Sequence, residues 1–240
     1  MKQLFTLTSF LISLQLFGQK QIVWFDIGAK VQYGAAGFYN SAIGNSDLFD
    51  YKISTGYGIG GRLGINFHNS GLSLEVMKSK ASQTFDRKGA TAIDQIDWSS
   101  LDIYTLYRHS KNLGYFEIGP KMALVKKVES TLEGAIKTDN TSDYNKTMFS
   151  GVVGFGANIL GNDGRFSGIL GLRFEYGFSD FVSKQGAGAN VNAPLRNAAV
   201  YKSGYKSSNV AFAGVVFELN WGIGYFGKAQ CGKRSKFIMF

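Results

Sequence analysis

The chain has 240 residues and a formal charge of +9 at pH 7, which leaves room for one ordinary domain or a single larger all-β unit. Glycine is abundant at 31, aromatics reach 15% and proline is scarce at 2, favouring many strands and arguing against a helical bundle or a disordered chain. The one cysteine, Cys231, excludes an internal disulfide, and the basic residues form no single exposed stripe of the kind nucleic acid would need.

Residues 1–18 place Lys2 ahead of an apolar run from Leu4 to Phe17 that ends at Gly18, the pattern of a cleaved export signal with its junction near Gly18 and Gln19. The run is shorter than the ~20 apolar residues of a spanning helix, and no stop-transfer segment follows. Cys231 is far from that junction, so no lipid anchor on an amino-terminal cysteine is expected. Export without disulfides suits a bacterial envelope protein.

From residue 19 to 226 a period of two predicts eight strands. The first, Ile22 to Gly34, sets Val23, Phe25, Ile27, Ala29, Val31 and Tyr33 against Asp26, Gly28, Lys30 and Gln32. The second, Ile53 to Phe67, sets Tyr57, Ile59, Leu63, Ile65 and Phe67 against Arg62, Asn66 and a row of glycines. A third begins at Leu72 and Leu74 with Glu75 on the other face, and a fourth carries Leu101, Ile103 and Tyr107 opposite Asp102 and Arg108. The fifth shows Phe116, Ile118, Met122 and Leu124 opposite Glu117, Gly119 and Lys121. The sixth sets Phe149, Val153, Phe155 and Ile159 against Ser150, Gly154, Gly156 and Asn158. The seventh, Phe166 to Phe178, puts Leu170, Leu172 and Phe174 on one face and Arg173 and Glu175 on the other. The eighth, Val210 to Phe226, opposes Val215, Phe217, Leu219, Trp221, Ile223 and Tyr225 to Gly214, Glu218, Asn220, Gly222 and Gly224.

Connections alternate between tight and long. His68 to Gly71, His109 to Gly114 and Gly161 to Arg165 are tight, with Asn162-Asp163-Gly164 a hairpin turn. Longer polar stretches lie at 35–52, 86–96, 127–147 and 180–208. That is the plan of a transmembrane antiparallel eight-stranded up-and-down β-barrel in an outer membrane, with both termini periplasmic. A lipocalin-like barrel and a β-sandwich also alternate apolar and polar residues. Volume decides against them: an eight-stranded interior holds the Gly, Ser and charged set, so the bulky apolar set must face outward into lipid. Aromatics near the strand ends resemble two interfacial girdles, Phe25, Phe67, Tyr107, Phe116, Phe166, Trp221 and Tyr225 at the inner rim, and Tyr33, Phe85, Phe149 and Phe178 at the outer.

Two places break the pattern. Lys78 and Lys80 share the lipid-facing parity of Leu72, Leu74 and Val76, which predicts a β-bulge near Val76 and Met77 or an early exit from the membrane. Pro120 lacks a backbone donor, so an irregularity is expected beside Gly119.

The predicted lumen residues are Asp26, Lys30, Arg62, Glu75, Asp102, Arg108, Glu117, Lys121, Arg173, Glu175 and Glu218. Their signs nearly balance, and in so narrow an interior they are expected to pair into a salt-bridged plug that closes the lumen; an ion or proton path is the functional alternative. Gly56 to Gly61 and Gly222 to Gly227 satisfy GxGxxG, yet neither opens a helix after a strand, so both read as small lumen positions. Asn140-Thr141-Ser142 and Asn145-Lys146-Thr147 match glycosylation sequons by chance in a bacterial protein. Asp139 and Asp143 suggest a weak external cation site without the Gly and bidentate Glu of a calcium loop. No cofactor is implied.

His68-Asn69-Ser70 loosely resembles the His-x-Ser pair of outer-membrane lipid A deacylases, with Glu75 as the residue that would orient His68. Both His68 and His109 fall in inner turns, away from the leaflet where such enzymes act, and the residues after Ser70 depart from that pattern. The expectation is no enzymatic activity. After Phe226 a basic tail, 227–240, carries Lys228, Lys233, Arg234 and Lys236 and ends Phe237-Ile238-Met239-Phe240. It reads either as a disordered periplasmic extension or as a docking peptide in which the bases steer and Phe240 anchors.

Tyr115-Phe116-Glu117-Ile118-Gly119-Pro120-Lys121, with the Gly-aromatic strands and the length, resembles the small outer-membrane barrels grouped as PorT-like, OmpX-like and OmpA-membrane-domain-like. The resemblance implies the barrel fold, no catalytic residues, and either a part in type IX protein secretion (PorT-like) or in adhesion and envelope integrity (OmpX-like). The expected role is an interaction or structural subunit of an envelope machine acting through its external loops and tail, in contact with outer-membrane lipid, lipopolysaccharide and envelope protein partners.

Overall fold

The computed structural model describes residues 23–89, 93–161, 166–189, 191–201, 204–228 and 235–238, with the side chains of 225–228 and 235–238 excepted. The predicted export signal, the predicted turn at Asn162-Asp163-Gly164, Cys231, Lys233, Arg234 and Phe240 lie outside the described residues. The strands in chain order are β1 (Val23–Tyr39), β2 (Phe49–Lys52), β3 (Thr55–Phe67), β4 (Ser70–Arg87), β5 (Ile93–Lys111), β6 (Gly114–Thr131), β7 (Thr138–Asp139), β8 (Thr147–Leu160), β9 (Phe166–Gly177), β10 (Asn209–Lys228) and β11 (Ser235–Ile238). Two short helices, α1 (Ser41–Gly44) and α2 (Lys184–Gly188), lie in the long connections.

Every pairing between the main strands is antiparallel and between neighbours, in the order β1-β3-β4-β5-β6-β8-β9-β10. β10 then pairs back to β1 from Val23↔Phe226 to Tyr39↔Asn209, so the eight strands form a ring. β2 continues the line of β3 along β4 after a break at Ile53 and Ser54. Side chains patch the break, the Ser54 hydroxyl accepting the Thr84 N–H at 2.8 Å and the Gln83 amide donating to Lys52 O at 2.9 Å. The tight turns at one end place His68 and Asn112 at φ 52° and 56°, a left-handed conformation that His and Asn tolerate better than most.

Alternation sends the two sets of side chains where their chemistry sends them. Leu172 and Phe174 are 41% and 46% exposed on the outside, while Arg173 between them is fully buried inside. Ile59, Leu63, Leu74, Phe155, Leu170 and Trp221 complete an apolar outer belt. Glycine on the inward parity makes room for long charged side chains: a Cβ at Gly154 would collide with Glu117, and one at Gly64 with Arg62 and Asp26.

Toward the end that carries the long connections this pattern reverses within single strands. On β4 the outward residues change from Leu72, Leu74 and Val76 to Lys78, Lys80, Ser82 and Thr84. The inward ones change from Ser73 and Glu75 to a mixed set, Met77, Ser79, Ala81, Gln83 and Phe85, of which Met77 and Phe85 are fully buried. β5 and β6 do the same, with Ile96, Trp98, Ala123, Val125 and Val128 turned in.

The reversal corrects several expectations. No bulge forms at Val76 and Met77, because β4 holds register with β3 and β5 throughout, and Lys78 and Lys80 face outward. The register shift falls on β6, where Lys126 has no partner between Ser99↔Lys127 and Ser100↔Val125; the extra residue keeps Val128 facing in. Phe85 belongs to the interior, not to an outer girdle. The stretch 86–96 is largely strand, and β10 runs to Lys228 rather than Phe226. Beside Gly119 and Pro120 the β5–β6 ladder passes directly from Tyr104↔Lys121 to Tyr107↔Ile118, the irregularity expected of a proline without a donor.

Candidate functional site

The charged residues predicted for the lumen come together inside the ring as two ion-paired groups, joined through Tyr104, over whose ring the Arg173 guanidinium lies at 4.9 Å. At its lower end Arg62 pairs with Asp26, whose second oxygen accepts from Asn66 at 2.6 Å. Arg62 also lies 3.6 Å from Glu218, which Arg108 grips through both nitrogens at 2.7 and 2.8 Å. Arg108 reaches Glu117 at 2.8 Å, and its guanidinium stacks over the Tyr115 ring at 4.5 Å. Lys30 sits among Glu75 at 2.5 Å, Glu218 at 3.0 Å and Glu117 at 3.9 Å. Arg173 joins Glu117 at 2.6 Å to Glu75 at 3.0 Å. Above them Lys121 bridges Asp102 at 2.8 Å and Glu175 at 2.7 Å, and the Tyr104 hydroxyl donates to Glu175 at 3.0 Å.

Because each of these charges has been taken out of bulk water, attraction must offset a desolvation cost of several kcal/mol per ion. Shared partners lower that cost, since one fixed cation serves two or three carboxylates. Neighbours absent from the predicted set fill the remaining space: Tyr104, Leu106, Met77 and Val152 are buried with the charges. Tyr104 shares the parity of Asp102 and Arg108, so alternation alone assigns it to the interior.

The opposite end is closed by the long connections. Phe181 and Leu195, both fully buried, pack with Ile43, Phe49, Tyr144 and Val200 against the inward Phe38, Phe85, Ile96 and Trp98. The Phe181 ring packs at a tilt, 4.7 Å from the rings of both Phe38 and Tyr144. Polar contacts fix the loops to one another. Asn145 donates from its backbone to Phe181 O at 2.8 Å and from its side chain to Asp180 O at 2.9 Å. Asn40 caps α1 through Ala42 N at 2.9 Å and reaches Ser208 at 2.9 Å. Burial pushes the phenols of Tyr144 and Tyr51 up to about 12.

These contacts settle three sequence candidates. Asp143 pairs with Arg196, whereas Asp139 accepts from both the backbone and the hydroxyl of Thr141, bonds that hold its carboxyl below the usual range. The two aspartates therefore do not join in a cation site, and no metal-binding cluster occurs among the described residues. Both sequon asparagines spend their amides inside the protein, Asn140 on Ser130 and Asn145 on Asp180 and Val182.

The His68–Ser70–Glu75 arrangement is not assembled. Glu75 lies inside the ring on Lys30 and Arg173, and His68 occupies its left-handed turn. Ser70 instead meets the Tyr107 hydroxyl at 2.9 Å and His109 Nδ1 at 3.3 Å, across from its ladder partner on β5. Of the tail, Lys228 ends β10 and Lys236 lies in β11, which pairs back along β10 from Lys228↔Ser235 to Tyr225↔Ile238. The part of the tail that is described is a strand of the same sheet, in place of a disordered extension.

No protein-family model matches the sequence, and no curated protein matches it. Among solved structures the chain is similar to Neisserial surface protein A, 10% identical with a TM-score of 0.41, over 82% of this chain and 96% of the other. It is similar as well to Ail, the attachment invasion locus protein of Yersinia pestis, solved with the heparin analogue sucrose octasulfate, at 10% identity and a TM-score of 0.38 over 81% and 99% of the two chains. A third likeness is to the outer membrane protease OmpT of Escherichia coli, at 9% identity and a TM-score of 0.38 over 86% and 97%.

Proposed function

We propose that this chain is an outer-membrane β-barrel that works without chemistry of its own, as a binding and structural component of the envelope through its capped outer end. The observation that carries the reading is the inside-out distribution of side chains. A belt that includes Leu63, Leu74, Phe155, Leu170 and Leu172 faces outward around a ring whose interior holds Lys30, Arg108, Arg173, Glu75, Glu117 and Glu218. Water tolerates neither an apolar belt of that extent nor so many charges withheld from it, whereas lipid outside and mutual pairing inside satisfy both. No helix among the described residues is long and apolar enough to cross a membrane.

The tight turns and both ends of the chain's ring lie at one rim and the long connections at the other, which supports a periplasmic placement of the former. The surfaces left for partners are the outer face of the cap and the β10–β11 hairpin at the inner rim. An interaction subunit of a secretion or assembly machine uses both, while a stand-alone adhesin uses the cap alone. Extraction of the native protein in mild detergent, with and without residues 229–240, separates them. Co-purifying envelope proteins that are lost with the truncation support the machine subunit. Recovery of the barrel alone in both cases sinks it.

A further inference from the structure

The outer wall changes character along horizontal rows that cross β3 to β6. The ladder places Val76, Ile103 and Met122 in one row, then Ile59, Lys78, Leu101 and Leu124, then Tyr57, Lys80, Ser99 and Lys127. Lys78 thus projects from an otherwise apolar row, and the next row sets two lysines on either side of a serine too short to fill the gap between them. A groove of about 460 Å³ opens there, lined by Tyr57, Lys80, Ser99, Asp97, Lys127 and Lys137.

The acids in that groove are already matched, Asp97 with Lys137 at 2.6 Å and Glu129 with Lys127 at 2.8 Å. Lys78, Lys80 and Lys126 are exposed and have no ion-pair partner among the described residues. Free cations directly above an apolar wall match a ligand with an anion at one end and hydrocarbon at the other.

We propose that the outward face of β4–β6 binds a phosphate of a membrane-lipid head group, held by Lys78 and Lys80 with its acyl chains lying on Leu74, Val76 and Ile103. This rests on the outer-membrane reading above. Charge-assisted bonds to phosphate oxygens supply the recognition, and the apolar rows beneath fix the depth at which the phosphate sits. A free phosphate would gain only the first of these.

The test reconstitutes the full chain into phosphatidylcholine vesicles carrying either diphosphoryl lipid A or the same lipid stripped of its phosphates, and counts retained lipid by native mass spectrometry. The expected result is a preference of roughly fivefold or more for the phosphorylated form. That preference falls to about onefold in the Lys78→Gln/Lys80→Gln double variant and is unchanged in Lys184→Gln, an exposed lysine of α2 in the cap. Equal retention of both lipids by a wild-type chain that inserts normally overturns the proposal and leaves the membrane reading standing. Failure of the wild type to enter either vesicle overturns both. Complete displacement of the lipid by inorganic phosphate at equal concentration overturns the lipid assignment, since the acyl chains would then contribute nothing.

Discussion

Lys80 and Phe85 stand five residues apart on β4 with their usual places exchanged: the lysine faces outward on the parity of Leu72 and Leu74, and the phenylalanine is fully buried on the parity of Glu75. One strand therefore obeys two rules, apolar-out below Lys78 and polar-out above it, where Phe85 turns in. The strands are long enough for both regimes, 18 residues in β4 and 19 in β5, where about 9–11 cross a bilayer. On the outer-membrane reading proposed above, the lower part faces lipid around a polar interior, and the upper part faces water around a core that the loops complete.

Removing one member of the interior charge set is expected to cost far more than an exposed ion pair would. Arg173→Leu leaves Glu117 and Glu75 sharing the remaining cations, a loss of about 3–5 kcal/mol. Urea unfolding in vesicles checks this, and a loss under about 1 kcal/mol would show that water, not Arg173, satisfies those carboxylates.

The filled interior and the cap together predict no steady conductance in planar bilayers. Tyr104, Leu106, Met77 and the paired charges occupy the middle of the ring's interior. Discrete, reproducible openings of the wild-type chain would mean that the charge set moves, and that the alternative of an ion path holds.

Cap and ring are expected to separate energetically. Phe181→Ala removes a fully buried ring packed against Phe38 and Tyr144, at a cost of about 3–5 kcal/mol. Because Phe181 touches the cap and the upper interior only, the variant's loops should become protease-sensitive while the ring keeps its heat-modifiable mobility on gels. Simultaneous loss of both would show a single cooperative unit.

Alkaline pH should loosen the cap. The phenols of Tyr144 and Tyr51 ionise at 10.0 in an ordinary setting and are pushed up to about 12 by burial. Between those values the unfolded chain has released protons that the folded cap still holds, so stability falls as pH rises through the window. Near-ultraviolet circular dichroism of the wild type against Tyr144→Phe checks it. The variant should lose less signal between pH 10 and 12, and identical curves would assign the effect elsewhere.

Much of the ring was legible from period-two alternation, and the reason is local. Leu170, Leu172 and Phe174 against Arg173 and Glu175 state two faces within a few residues, and the lumen charges were named from that parity alone. Pro120 was legible too, because a missing donor interrupts a ladder wherever it falls. Lys78 and Lys80 keep the outward parity that alternation assigns them and only the bulge is absent, whereas Phe85 is misplaced by a single sense of alternation along a strand that changes environment partway; the polar run Ser82, Thr84, Asp86 opposite Gln83 and Phe85 is the available signal. The cap was not legible at all. Phe181, Leu195 and Ile43 lie in irregular connections without periodicity, and only tertiary contact identifies them as core.

The central claim is that lipid meets the outer wall below Lys78 and water meets it above Lys80. Spin labels placed one at a time at Leu72, Leu74, Val76, Ser82 and Thr84, all on the outward parity of β4, measure this directly in reconstituted vesicles through their relative accessibility to oxygen and to a water-soluble nickel chelate. Labels at Leu72, Leu74 and Val76 should favour oxygen, labels at Ser82 and Thr84 the chelate, with the crossover between Val76 and Ser82. Chelate access at Leu74 equal to that at Ser82 would contradict the account.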